Sequence, residues 1–470
     1  FESLGYNESA LLPQLLDLFD LPRNEHPYDR KVYANQESSE TLEAWSGAAD
    51  LKIKVGDAEF TSITAYRKHE YFSRTDTDRS PIDFAYDGDP EDVHTFSEEA
   101  RIAWTAGDFD WLLGAYFYDR TAANLSFVEI GADLAALFEA PEIAGLRIGS
   151  DATTDTTSIA GFASGTWRAT DQLDFTVGGR YTHEKRSIDY VQTDPLGILG
   201  GSFAVKAEDS FSKFTPNASA RFKFTPDLMA YATISEGFKS GGYNDALGDA
   251  NGIGYGPETV WNYEMGLKSQ FGGRVIANVA VYYMDWKDIQ INIDNPNTPV
   301  YDPSIYNAGK AHSAGIEGEL QAAVTDQFTL GATLAVQDAK YDEGTLPSGQ
   351  PLDKIPFAPK YTSDLNAEYR IPVGSGEISL IGEVLLRGEY YLTNDNQPDG
   401  KVGDYQIYNA RVGWSSEGGR YHVTVWGKNL ADKTVKQRLF DLSSQDLVGQ
   451  KLIALNDPRM YGVTFRVDMK

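Results

Sequence analysis

The sequence has no cysteine among its 470 residues. This absence excludes disulfide bonds and metal sites built from thiolates. No apolar run comes near the roughly 18 residues that a membrane-spanning helix requires. A basic, apolar leader is absent as well, because Phe1 opens a polar stretch, so we expect either a mature chain or a fragment. A disulfide-stapled scaffold and a membrane protein built from helices are therefore excluded.

Positive charge is scarce, since 41 Lys and Arg stand against 69 Asp and Glu, for a net charge of -28. Nucleic acid is therefore a poor partner, because phosphates are bound by Lys and Arg. The sequence also contains no nucleophile elbow. The histidines show no metal-ligand spacing; they are His26, His69, His94, His183, His312 and His422. We predict no catalytic site, no metal site and no cofactor.

The dominant pattern is strict alternation of apolar and polar residues, as in residues 421–426 and 461–469. Such alternation indicates β-strands with one apolar and one polar face. It recurs from about residue 40 and predicts about 17 strands. The predicted pairs are 45–55 with 59–75, 93–105 with 109–127, 156–168 with 173–191, 211–224 with 228–236, 260–271 with 275–293, 307–324 with 328–341, 361–371 with 377–392 and 405–415 with 421–430, and one strand ends the chain.

Two kinds of connection alternate between these strands, namely turns of two to four residues and polar loops of roughly ten to thirty. Short helices are predicted within the first 39 residues and over 133–140. Long strands with short turns at one end and long loops at the other are typical of outer-membrane barrels. The predicted fold is all-β, a transmembrane antiparallel β-barrel with short periplasmic turns and long extracellular loops. The mean hydropathy of -0.39 agrees with it, since half of each strand stays polar.

The strand count is odd, whereas bacterial single-chain barrels have even numbers of strands. If the last strand ends at the periplasm, the first runs inward from outside. Residues 1–39 are then an extracellular loop segment with a short helix, and residues 40–470 are barrel strands. We expect five further strands of a 22-strand barrel to lie outside this sequence. They would belong either to the same protein or to a separate chain. Barrels of that size have a plugged lumen.

Three segments carry a family resemblance: residues 236–244, EGFKSGGYN; residues 257–268, PETVWNYEMGLK; and residues 307–317, which hold NAGK and GIE. Shorter stretches at 61–67, 428–432 and 459–465 follow the same running pattern. In order and spacing they resemble TonB-dependent outer-membrane receptors, over nearly all of the chain from about residue 40.

The resemblance implies a 22-strand barrel around an N-terminal plug in the bacterial outer membrane, surrounded by lipid and lipopolysaccharide. It implies energised uptake of a scarce small molecule, by default a ferric siderophore or similar chelate. Energy would come from the TonB–ExbB–ExbD complex through a plug that these residues do not include. One departure is the end of the chain, Met469-Lys470, where the family generally has an aromatic residue.

Other functions stay open at this point. A passive outer-membrane channel would need no plug, and a TonB-dependent importer could take a carbohydrate or a vitamin. A soluble carbohydrate-binding protein or glycosidase would have strands of about five to six residues and paired carboxylates in a cleft.

Candidate ligand contacts lie where a strand gives way to an extracellular loop, at Lys239, Tyr243 and Asn244. The glycines at 241 and 242 permit a positive φ or close backbone approach, and a simple strand-to-loop bend is the alternative. Four acidic or amide-rich segments could hold Ca²⁺ or could be solvated loops. They are residues 76–78, 87–92, 294–297 and 394–400.

Overall fold

The computed structural model describes residues 2–23, 27–245, 253–294, 303–442 and 448–469. His26, residues 295–297 and Lys470, all singled out by the sequence, lie outside these ranges. Within them, no helix is both long and apolar enough to cross a membrane.

The strands and α-helices follow one another along the chain. They are β1 (Glu2–Tyr6), α1 (Leu11–Leu18), β2 (Ser39–Val55), β3 (Ala58–Asp76), β4 (Ala85–Gly88), β5 (Glu91–Ala106), β6 (Phe109–Ile130), α2 (Ala132–Leu137), β7 (Arg147–Arg168), β8 (Leu173–Thr193), β9 (Phe203–Thr225), β10 (Leu228–Lys239), β11 (Gly242–Tyr243), β12 (Gly254–Tyr255), β13 (Glu258–Phe271), β14 (Val275–Lys287), β15 (Gln290–Asp294), β16 (Pro303–Asn307), β17 (Lys310–Ala323), β18 (Phe328–Glu343), β19 (Tyr361–Val373), β20 (Gly376–Arg387), β21 (Tyr390–Tyr391), β22 (Lys401–Val402), β23 (Tyr405–Ser416), β24 (Tyr421–Lys428), β25 (Lys436–Asp441), β26 (Gln450–Leu455) and β27 (Met460–Val467). Two short 3-10 helices, Pro141–Ile143 and Pro398–Gly400, complete the set.

Eighteen of these strands form one antiparallel sheet that is the wall of a barrel. One of them, β4, is a four-residue addition beside β3 and β6. The other seventeen pair successively from β2 to β27, which confirms the predicted number. Their order in the sheet is their order in the chain, so every ladder joins sequence neighbours.

The wall has two free edges. Strand β2 pairs only with β3, and β27 pairs only with β24, and no ladder in the described ranges joins β2 to β27. The one circuit of strand pairs that closes within those ranges is local, formed by β3, β4, β6 and β5. Full closure of a barrel gives every strand two neighbours, so these strands alone leave a gap between β2 and β27.

Short turns and long loops alternate without exception along the seventeen strands, as predicted. Eight hairpins turn in two to four residues, for example residues 56–57 between β2 and β3. The other eight connections range from 9 residues, 194–202, to 31 residues, 429–459. Because the strands are antiparallel, all turns lie at one end of the wall and all loops at the other.

The outward face carries an apolar band between two rows of exposed aromatic residues. The row near the turns contains Phe109, Trp111, Trp167, Phe175, Phe224, Phe271, Tyr369 and Trp414. The row toward the loops contains Phe96, Tyr181, Phe214, Tyr263, Tyr283, Tyr408 and Tyr461. Between them lie exposed aliphatic side chains such as Val177, Met265 and Val281. Aromatic girdles flanking an apolar band mark the two interfaces of a membrane barrel.

The loops have a core of their own, and it contains one ladder that the sequence did not predict. Helix α1 forms within residues 1–39, which were expected to be a loop segment with a short helix. Strand β1 is an addition in the same segment and pairs with β26. Leu12 and Leu16 of α1 pack with Leu134 and Leu452 from other loops. The alternation could not reveal the β1–β26 ladder, because its strands are about 450 residues apart in the chain.

Several strand bounds differ from the prediction for identifiable reasons. The single strand predicted over 275–293 is broken between β14 and β15, where Asp288 adopts a φ of 54°. Likewise, the strand predicted over 377–392 ends with β20 at Arg387. Strands β7 and β9 begin 9 and 8 residues earlier than predicted. Ile148 and Phe203 in these added starts pack in apolar clusters on the loop side of the wall.

Candidate functional site

The three segments that carry the family resemblance meet at the loop end of the wall. The side-chain amide of Gln290 donates to the backbone oxygens of Ser240 and Gly256, at 2.9 and 3.0 Å. Asn307 accepts from the backbone nitrogen of Gly256 at 2.6 Å and donates to its oxygen at 3.0 Å. Two amide side chains, one from β15 and one from β16, therefore fasten the loop after β10 to the β15–β16 hairpin.

Gly241 lies where two backbones approach closely. A Cβ at this position would stand 2.4 Å from the carbonyl oxygen of Tyr255, a separation that real Cβ atoms do not show. Ser240 beside it donates from its hydroxyl to Glu184 on β8. The close approach expected of these glycines is therefore present, although neither Gly241 nor Gly242 has a positive φ.

The hydroxyl of Tyr243 donates to Asp209 at 2.9 Å. Burial, followed by this bond to a carboxylate, raises the pKa of Tyr243. Asn244 binds the backbone of Ile305 through both ends of its amide, accepting at 2.7 Å and donating at 3.2 Å. Lys239 is exposed at the end of β10. The structure thus gives Tyr243 and Asn244 bonds within the loops, and Lys239 the most accessible position of the three.

A cavity of about 400 Å³ opens below this junction on the inward face of the wall. Its lining comes from the five successive strands β6 to β10 and includes Tyr116, Tyr118, Arg180, Glu184, Glu236 and Phe238. The inward direction follows from alternation, since Val177 and Tyr181 of β8 are exposed on the opposite face. A volume of this order suits a small-molecule ligand.

Most charges in the cavity are paired. Glu184 accepts from Arg186 at 2.7 Å, and Glu236 lies 2.6 Å from the ammonium of Lys213. The guanidinium of Arg180 lies over the rings of Tyr116 and Phe162, at 5.2 and 5.8 Å from their centres. The arrangement holds no nucleophile activated by a base, and what it can do is bind polar and charged groups.

Comparison with known proteins shows the family to which this barrel wall belongs. The family model described as "TonB dependent receptor-like, beta-barrel" matches residues 2–430. The chain belongs to the TonB-dependent receptor family. Members are receptors of the outer membrane and not enzymes, so the predicted location and class are confirmed, and the girdled wall agrees with both.

Individual relatives of this TonB-dependent receptor chain are distant. The pesticin receptor of Yersinia pestis is 25% identical over 315 residues, which are 66% of this chain and 44% of that protein. The crystal structure of the ferric yersiniabactin uptake receptor FyuA from Yersinia pestis superposes with a TM-score of 0.75 at 22% identity, covering 92% of this chain and 62% of that one. The siderophore receptor PiuA from Acinetobacter baumannii gives 0.69 at 16% identity, covering 90% and 64%. The chain therefore spans less than half the length of the pesticin receptor.

The acidic segments lie in the receptor's loops. In the described ranges, no group of three or more His, Cys, Asp or Glu is close enough to hold a metal ion. The reading of residues 76–78 as a solvated loop is wrong, because Asp76 and Asp78 are each 1% exposed. Asp78 accepts from the backbone nitrogens of Ser80 and Ala85. In residues 394–400, Asp399 forms an ion pair with Lys451.

Alternation along the predicted strand 173–191 puts Arg180 on the polar face, opposite to Val177 and Tyr181, but does not single it out. Polar residues occupy most inward strand positions, and the alternation gives no sign of which of these side chains face each other. That choice depends on register, which sets Arg180 opposite Phe162 across the β7–β8 ladder.

Proposed function

We propose that this wall belongs to an active importer of the outer membrane that takes up a ferric siderophore or a similar metal chelate. The main support is the likeness to the ferric yersiniabactin receptor over 92% of this chain, together with family membership. The inward cavity, lined by aromatic and charged residues, agrees with a small-molecule ligand.

We further propose that energy comes from the TonB–ExbB–ExbD complex, and that additional strands, in the same protein or on a separate chain, occupy the gap between β2 and β27. In this arrangement residues 1–39 belong to an extracellular loop and residues 40–470 to the barrel. Lipid and lipopolysaccharide would cover the band between the aromatic girdles. Lys239, Tyr243 and Asn244 remain proposed ligand contacts near the loops.

Growth of a deletion strain on single nutrient sources tests this proposal. We expect a defect on one ferric chelate and normal growth on the other iron sources, restored by the intact gene. A strain lacking TonB should show the same defect. A passive channel would support uptake without TonB, and a defect confined to a sugar or a vitamin would contradict the chelate assignment.

A further inference from the structure

Arg180 is a cation on the inward face of the wall. Its guanidinium has contacts that orient it, but it has no carboxylate partner in the described ranges. Its Nε donates to the hydroxyl of Thr182 at 3.1 Å. Tyr116 and Phe162 flank the guanidinium. Because aromatic faces attract cations and restrict the side chain, Arg180 is presented to the cavity in a defined orientation. Among the described residues, no side chain bonds its two terminal nitrogens.

No carboxylate in the described ranges forms an ion pair with Arg180, although its neighbours are paired. Glu184 is bound by Arg186, and Glu236 by Lys213. These five side chains therefore sum to a charge of +1, within a chain whose net charge is -28. An anion entering the lumen is repelled by the chain as a whole and meets a local excess of positive charge at Arg180.

We propose that Arg180 binds an anionic oxygen pair of the transported ligand, such as a carboxylate or a catecholate of a metal chelate. The planar guanidinium matches two oxygens with two parallel N–H bonds, which a point charge such as Lys cannot reproduce. Phe162 and Tyr116 offer ring faces against which a planar ligand ring packs. This inference rests on the proposed function and makes it more specific, because it selects anionic chelates over uncharged ones.

The test measures binding by tryptophan fluorescence of the purified protein in detergent. The probes are ferric citrate, the ferric complex of a tris-catecholate and an uncharged ferric trihydroxamate. We expect Arg180→Gln to weaken binding of an anionic chelate about ten-fold or more, as loss of a charged hydrogen-bond pair does. Arg180→Lys should give an intermediate value.

Arg411→Gln is the matched control, since Arg411 on β23 is exposed, outside the cavity and without an ion pair in the described ranges. It should bind every chelate as the wild type does. Phe162→Leu keeps all charges and should weaken the catecholate more than citrate, which tests the site even if Arg180→Gln does not fold.

The outcomes separate the two proposals. Unchanged binding of an anionic chelate by Arg180→Gln would overturn the assignment of Arg180 and leave the importer standing. An equal loss for charged and uncharged chelates would also overturn it, because the effect would not depend on ligand charge. If the wild type binds none of the three, both the importer of ferric chelates and this site are refuted.

Discussion

At the scale of single residues, Gly241 shows how a loop can depend on the absence of one methyl group. The carbonyl oxygen of Tyr255 occupies the space where a Cβ would stand. We expect Gly241→Ala to separate the two backbones and destabilise the loop after β10 by about 1–3 kcal/mol. Limited proteolysis of residues 240–257 measures this. Gly382→Ala is the control, since nothing lies within 4 Å of its Cβ position, and equal resistance of the two variants would refute the steric account.

A second residue-scale prediction concerns the buried acids behind β3. Burial, and then the nearby charge of Asp76, raises the pKa of Asp78 well above its usual value. The folded protein therefore holds this proton more tightly than the unfolded chain does. The associated stability is complete below about pH 4, the unfolded pKa, and is lost as the pH rises through the raised value.

The expected observation is a melting temperature of the loop-side structure that falls from pH 5 to pH 9. Asp78→Asn removes the titrating group, so its melting temperature should depend less on pH than that of the wild type. A pH profile identical in the two proteins would show that Asp78 does not titrate in this range.

Lys239 gives the third residue-scale prediction, on the candidate contacts near the loops. If it meets an anionic ligand, Lys239→Ala should weaken chelate binding while leaving the melting temperature unchanged, because the side chain is exposed. Asn244→Ala should instead loosen the loop, since the Asn244 amide holds the backbone of Ile305. Binding that is insensitive to Lys239→Ala would remove Lys239 from the site.

At the scale of secondary-structure elements, helix α1 tests the loop-side core. Leu16 is 1% exposed among apolar residues of several loops, whereas Leu18 on the same helix is 73% exposed. We expect Leu16→Ala to cost about 2–5 kcal/mol in the stability of this core, seen as faster proteolysis between β25 and β26. Leu18→Ala should leave cleavage unchanged. Similar cleavage of both variants would mean that α1 does not hold the loops.

The same elements show what a sequence pattern can and cannot reveal. Alternation located the seventeen wall strands because outward residues meet lipid while inward residues meet a polar lumen, so the pattern is imposed on every strand. It failed at β1, β25 and β26, which lie among loops and have no such two-sided environment. It also left the cavity hidden, because register across the ladders decides which inward side chains meet.

At the scale of the whole molecule, the girdled wall predicts that a charged substitution destabilises the protein more on the outward, lipid-facing side than on the inward side. Met265 is 58% exposed on the outward band, and Thr333 lines an inward cavity. Met265→Arg should destabilise the protein in lipid vesicles by about 2–4 kcal/mol, whereas lumen substitutions are better tolerated, so Thr333→Arg should cost less. Denaturant titrations followed by tryptophan fluorescence measure both, and equal costs would contradict the assignment of the outward face to lipid.

The β1–β26 ladder connects the two ends of the open wall. Strand β1 is joined to β2, at one free edge of the wall, through residues 7–38, and β26 is joined to β27, at the other edge, through residues 456–459. The ladder therefore links the segments that precede the two edges, on the loop side of the membrane. Strands that are added between β2 and β27 must therefore either insert below the formed β1–β26 ladder or take their places before that ladder forms. The order of these two events during biogenesis decides whether the wall can still be widened.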